Sequence, residues 1–173
     1  MYSFLSPPHP KSLHVLTVFC FVGAIILLSV SGVEGLPYPL IYQAAAFGLA
    51  TAGIYFLTRY VLRQYRYEIA EGGITDAAGQ PIPDLIITQT AGKKITVAAR
   101  VGLRDIGTVT VIAEKSSDAK EKKTEICRDK RVFTYLNTPF YTSACYISLN
   151  EENSVLVIPV DDRMIHILQR SAT

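Results

Sequence analysis

Cys127, Cys145 and His166 are the residues of this 173-residue chain whose types suit metal binding or nucleophilic chemistry. A zinc site needs four clustered ligands, or three and a water. No two cysteines have C-x-x-C spacing, and the remaining histidines, His9 and His14, lie near the N-terminus. Cys145 shares a period-two face with Ile147 and Leu149, which predicts a core thiol. His166 points away from the stripe made by Met164 and Leu168, so it is expected in solvent. The neighbouring carboxylates Glu151-Glu152 and Asp161-Asp162 diverge on any regular element, which unsuits them for paired acid/base work. They fit a hairpin loop and a helix N-terminus. Neither a P-loop nor a G-x-S-x-G elbow occurs. The sequence therefore points to no catalytic residue, no metal and no cofactor.

Lys93, Lys94, Arg100 and Arg104 form the one basic group with a recognisable purpose. Arg100 and Arg104 share a strand face, and a turn keeps Lys93 and Lys94 close in sequence. Basic side chains near an anionic bilayer gain about 1 kcal/mol each, so this group could bind lipid headgroups. The stretch Glu114 to Glu125 is also lysine-rich, but its acids balance its bases, which predicts a solvated loop. From Tyr67 onward there are 13 Lys and Arg against 14 Asp and Glu. That balance opposes nucleic-acid binding, which requires a positive face.

The elements that position these residues divide the chain sharply. No Asp, Glu, Lys or Arg occurs from Ser12 to Val33, nor from Gly35 to Thr58. Each stretch exceeds the ~20 residues that cross a bilayer as a helix. The small residues Gly23, Gly48, Ala50, Ala52 and Gly53 suit close helix packing in lipid. Glycine and proline between Ser31 and Pro39 predict a tight connection, hence an antiparallel hairpin. Arg59, Arg63 and Arg66 follow the second stretch at helical spacing, and Lys11 precedes the first, whereas the connection carries only Glu34. Positive charge stays cytoplasmic, so a multi-pass protein of the cell membrane with both termini inside is expected. The rival is a signal peptide cut near Ser29-Val30-Ser31. It leaves the arginines and the C-terminal domain on the same side. The three cysteines are then thiols in a reducing compartment.

From Tyr67 the apolar period becomes two. Ile95, Val97, Ala99, Val101 and Leu103 alternate with Thr96, Arg100 and Arg104, predicting one half-buried antiparallel strand. Further strands are expected at Tyr67–Ala70, Leu85–Thr90, Thr108–Ala113, Thr124–Cys127, Arg131–Tyr135, Ala144–Leu149 and Ser154–Ile158. Turns are expected at Ala91-Gly92-Lys93 and Asn150 to Asn153, with a bulge at Gly107. Asp161 to Arg170 reads as a helix capped by Asp161, with Met164, Ile165 and Leu168 on its apolar stripe.

Tyr67-Glu68-Ile69 with Gly73-Ile74, then Leu85-Ile86-Ile87, Gly92-Lys93-Lys94 and Ile95-Thr96-Val97, and finally Val101 to Val109, resemble a family of bacterial membrane proteins. Its members have two spans followed by a pleckstrin-homology (PH)-like domain. The basic residue usual early in the family's second strand is absent around Leu85, and the insert Lys115 to Lys123 is long. The resemblance implies an α+β chain: an N-terminal segment (1–12), a transmembrane helical hairpin (13–62), and a mainly antiparallel PH-like barrel with a C-terminal helix (63–173). It implies a non-catalytic binding or assembly module that contacts a protein partner or a second copy. The alternative is anionic-lipid sensing by Lys93, Lys94, Arg100 and Arg104.

Overall fold

The computed structural model describes residues 2–6, 11–33, 37–75, 79, 81–150 and 153–171. Glu34 and the Glu151-Glu152 pair lie outside the described residues. The chain divides into two compact units, Pro8–Arg63 and a second made of Met1–Pro7 with Gln64–Thr173.

The first unit is the expected helical hairpin. Helices α1 (Lys11–Ser31) and α2 (Pro39–Phe56) are antiparallel neighbours, and a π-helical turn extends α2 through Val61. Both are long and apolar enough to cross a membrane. Thr17, Cys20 and Ala24 of α1 and Ala46 and Gly53 of α2 are buried. A Cβ on Gly53 would lie 3.3 Å from that of Cys20, so a small residue sets the close approach there. Val15, Val18, Phe19, Ile25, Leu40 and Phe47 instead point outward and are exposed among the described residues. The hydroxyls of Thr17, Ser29, Ser31, Thr51 and Thr58 each donate to a carbonyl three or four residues back. These bonds satisfy the polar side chains within the helix.

The second unit holds two four-stranded sheets. Sheet A has the order β1-β2-β3-β4, formed by β1 (Tyr2–Leu5), β2 (Arg63–Thr75), β3 (Pro81–Ala91) and β4 (Lys94–Gly102). Sheet B has the order β5-β7-β8-β6, formed by β5 (Ile106–Ala113), β6 (Arg131–Thr134), β7 (Ser143–Leu149) and β8 (Ser154–Pro159). A 3₁₀ turn at Leu103–Asp105 leads from one sheet to the other. The pairs β1–β2, β3–β4, β5–β7 and β7–β8 are antiparallel, whereas β6 runs parallel to β8. The expected closed barrel is not formed, because the edges β4 and β6 have no strand partner on their outer sides among the described residues.

The N-terminal strand was not foreseen. Residues 2–5 pair with β2 in the register Tyr2↔Ile69 to Leu5↔Arg66. The whole helical hairpin is therefore the connection between two adjacent strands.

The main core lies between the inner sheet faces and the last helix, α4 (Asp162–Ser171). It contains Tyr65, Tyr67, Leu85, Ile87, Ile106, Cys145, Ile147, Ile158, Met164 and Leu168. Asp161 caps α4 as expected, since its carboxylate accepts the Met164 N–H at 2.9 Å. The same oxygen accepts the Tyr2 hydroxyl at 2.6 Å, tying β1 to the C-terminal helix. A second core covers the outer face of sheet B, where Ile112, Ala144, Tyr146, Val155 and Val157 pack with Ala119. This layer corrects two expectations. Thr124–Cys127 is not a strand, and the lysine-rich insert is not all loop. The former, and the insert from Ala119 onward, fall in helix α3 (Ala119–Cys127), whose Ala119, Ile126 and Cys127 help cover this face of the sheet.

The alternation along β4 also breaks. Ala99 pairs with Ile87 but Val97 pairs with Thr88, leaving Ala98 as an extra residue. This bulge exchanges the faces of the strand. Ala99 and Val101 join the core, while Ile95 and Val97 turn outward and stay 69% and 63% exposed. The strand ends at Gly102, so Leu103 and Arg104 belong to the 3₁₀ turn. The expected irregularity at Gly107 is present as a register shift between Ile106 and Val109.

Leu168→Ala removes a fully buried side chain between α4 and both sheets. It should lower the unfolding free energy by about 2–5 kcal/mol, read from denaturant unfolding of the detergent-solubilised chain.

Candidate functional site

A groove of about 320 Å³ opens between the edge strands β4 and β6. One wall is β4 from Ala98 to Gly102. The other is Phe133 and Tyr135, and Leu149 and Leu156 contribute apolar floor. Tyr135 holds the two sheets at this seam. Its N–H donates to the Val157 carbonyl at 2.9 Å, its ring meets Tyr65 edge-on, and its hydroxyl donates to the Ala98 carbonyl at 3.3 Å. The Tyr67 hydroxyl donates to the Tyr135 carbonyl. Burial, and secondarily the charge of nearby Tyr65, raises the pKa of Tyr67 well above the usual tyrosine value, so it stays a donor. Sequence reading missed Tyr135, because a tyrosine at a strand end carries no pattern of its own.

Arg100 and Asp84 stand at the β4 side of the groove. The guanidinium Nε lies 2.6 Å from an Asp84 carboxylate oxygen. Asp84 is 8% exposed, so the arginine supplies the partner its charge requires. Gly72 of β2 makes room for the carboxylate, since a Cβ there would run into the Ile82 carbonyl and the Asp84 side chain. Arg104 Nε lies 3.4 Å from Asp105. Lys93 and Lys94 sit at the β3–β4 turn, where Gly92 has φ +61° as the first residue of a two-residue hairpin turn prefers.

The four expected lipid-contacting residues thus do not converge. Lys94 and Arg100 are about 20 Å apart along the strand at the ordinary rise of ~3.3 Å per residue. Arg100 and Arg104 face carboxylates, whereas Lys93 and Lys94 are exposed and in no ion pair among the described residues. The arginines read as one helical face are also separated. Arg59 is in the π-helical turn, but Arg63 opens β2 and Arg66 lies within it, 3.6 Å from Glu68. The reason is the change from helix to strand after Val61.

Cys145 and His166 take the positions expected of them. Cys145 is fully buried, and burial pushes its thiol up to about 12. Cys127 ends α3, is partly buried against the second core, and burial raises its thiol pKa too. His166 is on the exposed face of α4. Among the described residues no three His, Cys, Asp or Glu side chains group as metal ligands. Comparison with models of protein families, with curated proteins and with solved structures finds no match to this chain.

Two expectations test this electrostatic picture. Arg100→Ala should destabilise the domain by about 1 kcal/mol, a small value because the arginine is half-exposed, and adding Asp84→Asn should recover part of the loss. Denaturant midpoints of the single and double variants read both effects. Stability should also fall at high pH. Cys145 keeps its proton in the folded chain to about pH 12, whereas an exposed thiol loses it near 9. The unfolded state then binds fewer protons, so the contribution is complete below about 9 and is lost as pH rises toward 12. Cys145→Ala should make that decline shallower in thermal unfolding measured from pH 8 to 11.

Proposed function

We propose that this chain is a membrane-anchored, non-catalytic interaction module whose open seam between β4 and β6 takes up an extended segment of a protein partner. The observation that carries the reading is that the seam is unclosed. Two strand edges flank a groove with an apolar floor, and Phe133 beside it is 43% exposed. An extended peptide can add to such an edge through main-chain hydrogen bonds, with side chains entering the groove between. The PH-like assignment is supported by two sheets followed by a terminal helix. The parallel pairing of β6 with β8 departs from it.

Anchoring rests on the two apolar helices, most of whose surface has no cover in the chain. Lys11 and Arg59 at their ends favour a cytoplasmic location for both termini. The strand pairing supports this reading over a cleaved signal peptide, because a chain cut after Ser31 would lose β1 from sheet A.

A photo-crosslinking residue at Phe133, in full-length protein in native membranes, should trap one discrete partner. Ala99→Trp fills the groove and should abolish that product while leaving the chain in the membrane fraction after alkaline extraction. Equal trapping by both proteins would refute the groove, and release of the chain by alkali would refute the anchor.

A further inference from the structure

The β3–β4 turn is at the sheet end where the chain arrives from the helices. Strand β2 begins at Arg63, two residues after the helical segment ends at Val61. Gly72 of β2 lies against Ile82 of β3. Going back along β2 from Gly72 to Arg63 is the same number of residues as going forward along β3 from Ile82 to Ala91. Neighbouring strands joined by so short a connection run in opposite directions, so the far end of β3, with the turn Gly92-Lys93, is at the end of the sheet where β2 begins. Strand β1 leaves toward α1 from this same end, because Leu5 pairs with Arg66.

What the turn displays there is unusual for a sheet surface. Lys93 and Lys94 are exposed and in no ion pair among the described residues. Directly beside them, Ile95 and Val97 are 69% and 63% exposed, turned outward by the bulge at Ala98. Cations next to uncovered aliphatic side chains match the interface of an anionic bilayer, where ammonium groups meet phosphates and aliphatic groups enter the acyl boundary. We propose that the tip Lys93–Val97 rests on the anionic headgroups of the bilayer that holds α1 and α2. This assignment rests on the anchored reading above. It replaces the four-residue basic group with a two-lysine, two-aliphatic tip, because Arg100 and Arg104 are held by Asp84 and Asp105. Tethering makes so small a contact effective, since the docking step is intramolecular.

The test uses the full chain in nanodiscs, with Thr96→Cys carrying a fluorophore and Cys127→Ser removing the competing accessible thiol. Headgroup nitroxide lipid should quench the label in discs containing phosphatidylglycerol, and much less in phosphatidylcholine discs or in 0.5 M salt. A label at Ser116→Cys should be unaffected by lipid charge. Lys93→Gln with Lys94→Gln should shift the docked-to-undocked ratio roughly 30-fold, at ~1 kcal/mol per lysine. Ile95→Ser with Val97→Ser should weaken docking at any salt. All four side chains are exposed, so unchanged thermal unfolding verifies that each variant is folded. Quenching at position 96 equal to that at 116, or indifferent to lipid charge, overturns the proposal. So does disulfide-linked dimerisation of the unlabelled Thr96→Cys chain when the labelled chain shows no quenching, which would assign the β4 edge to a second copy. Either result in a chain that resists alkaline extraction leaves the anchor standing, whereas a chain released by alkali fails for the earlier reading.

Discussion

The antiparallel pairing of Tyr2–Leu5 with Arg66–Ile69 constrains the whole chain. It brings together segments separated by both apolar helices, so α1 and α2 must return the chain to the place it left. A hairpin of two neighbouring helices does this. The pairing also fixes which sheet end receives the helix connections. Phe4 stacks on Tyr67 across it, and Tyr2 reaches the cap of α4, so the strand is joined to both the sheet and the last helix.

Sheet B obeys a different demand. Residues Ala144–Ser148 and Ser154–Ile158 are buried in unbroken runs, so both faces of β7 and β8 need cover. The inner face meets sheet A and α4, and the outer face meets α3. The Lys123–Glu114 ion pair beside Tyr141 closes the rim of that outer layer, and its hydrogen bond holds the Glu114 carboxyl below the usual range. Polar groups in this domain serve to place structure: Asp161 caps, Arg100 neutralises Asp84, and Tyr135 spans the seam.

Much of this was readable from residue order where a single physical signal dominated. Long uncharged runs gave the helices, and period-two patterning gave the strands of both sheets. Asp161 with the Met164, Ile165 and Leu168 stripe gave α4. The misses have separate causes. The strand Tyr2–Leu5 is four residues long and its partner is more than sixty positions away, so no local pattern marks it. Helix α3 has too few apolar residues to outweigh its charges, and sheet B decides its form. The bulge at Ala98 reverses the faces of β4 with no glycine to announce it, which misplaced Ile95 and Val97. The groove itself was invisible, because it arises from two edges that fail to meet, and the Arg100–Asp84 ion pair depends on the pairing of β3 with β4.

Strand β1 also gives the chain a long-delayed closing step during synthesis. At about 5–20 residues per second, its partner in β2 emerges several seconds after it. Its hydroxyl acceptor Asp161 emerges later still, after β8. Strand β1 thus waits unpaired while α1 and α2 are made, and its tie to α4 forms only when Asp161 arrives to hold Tyr2.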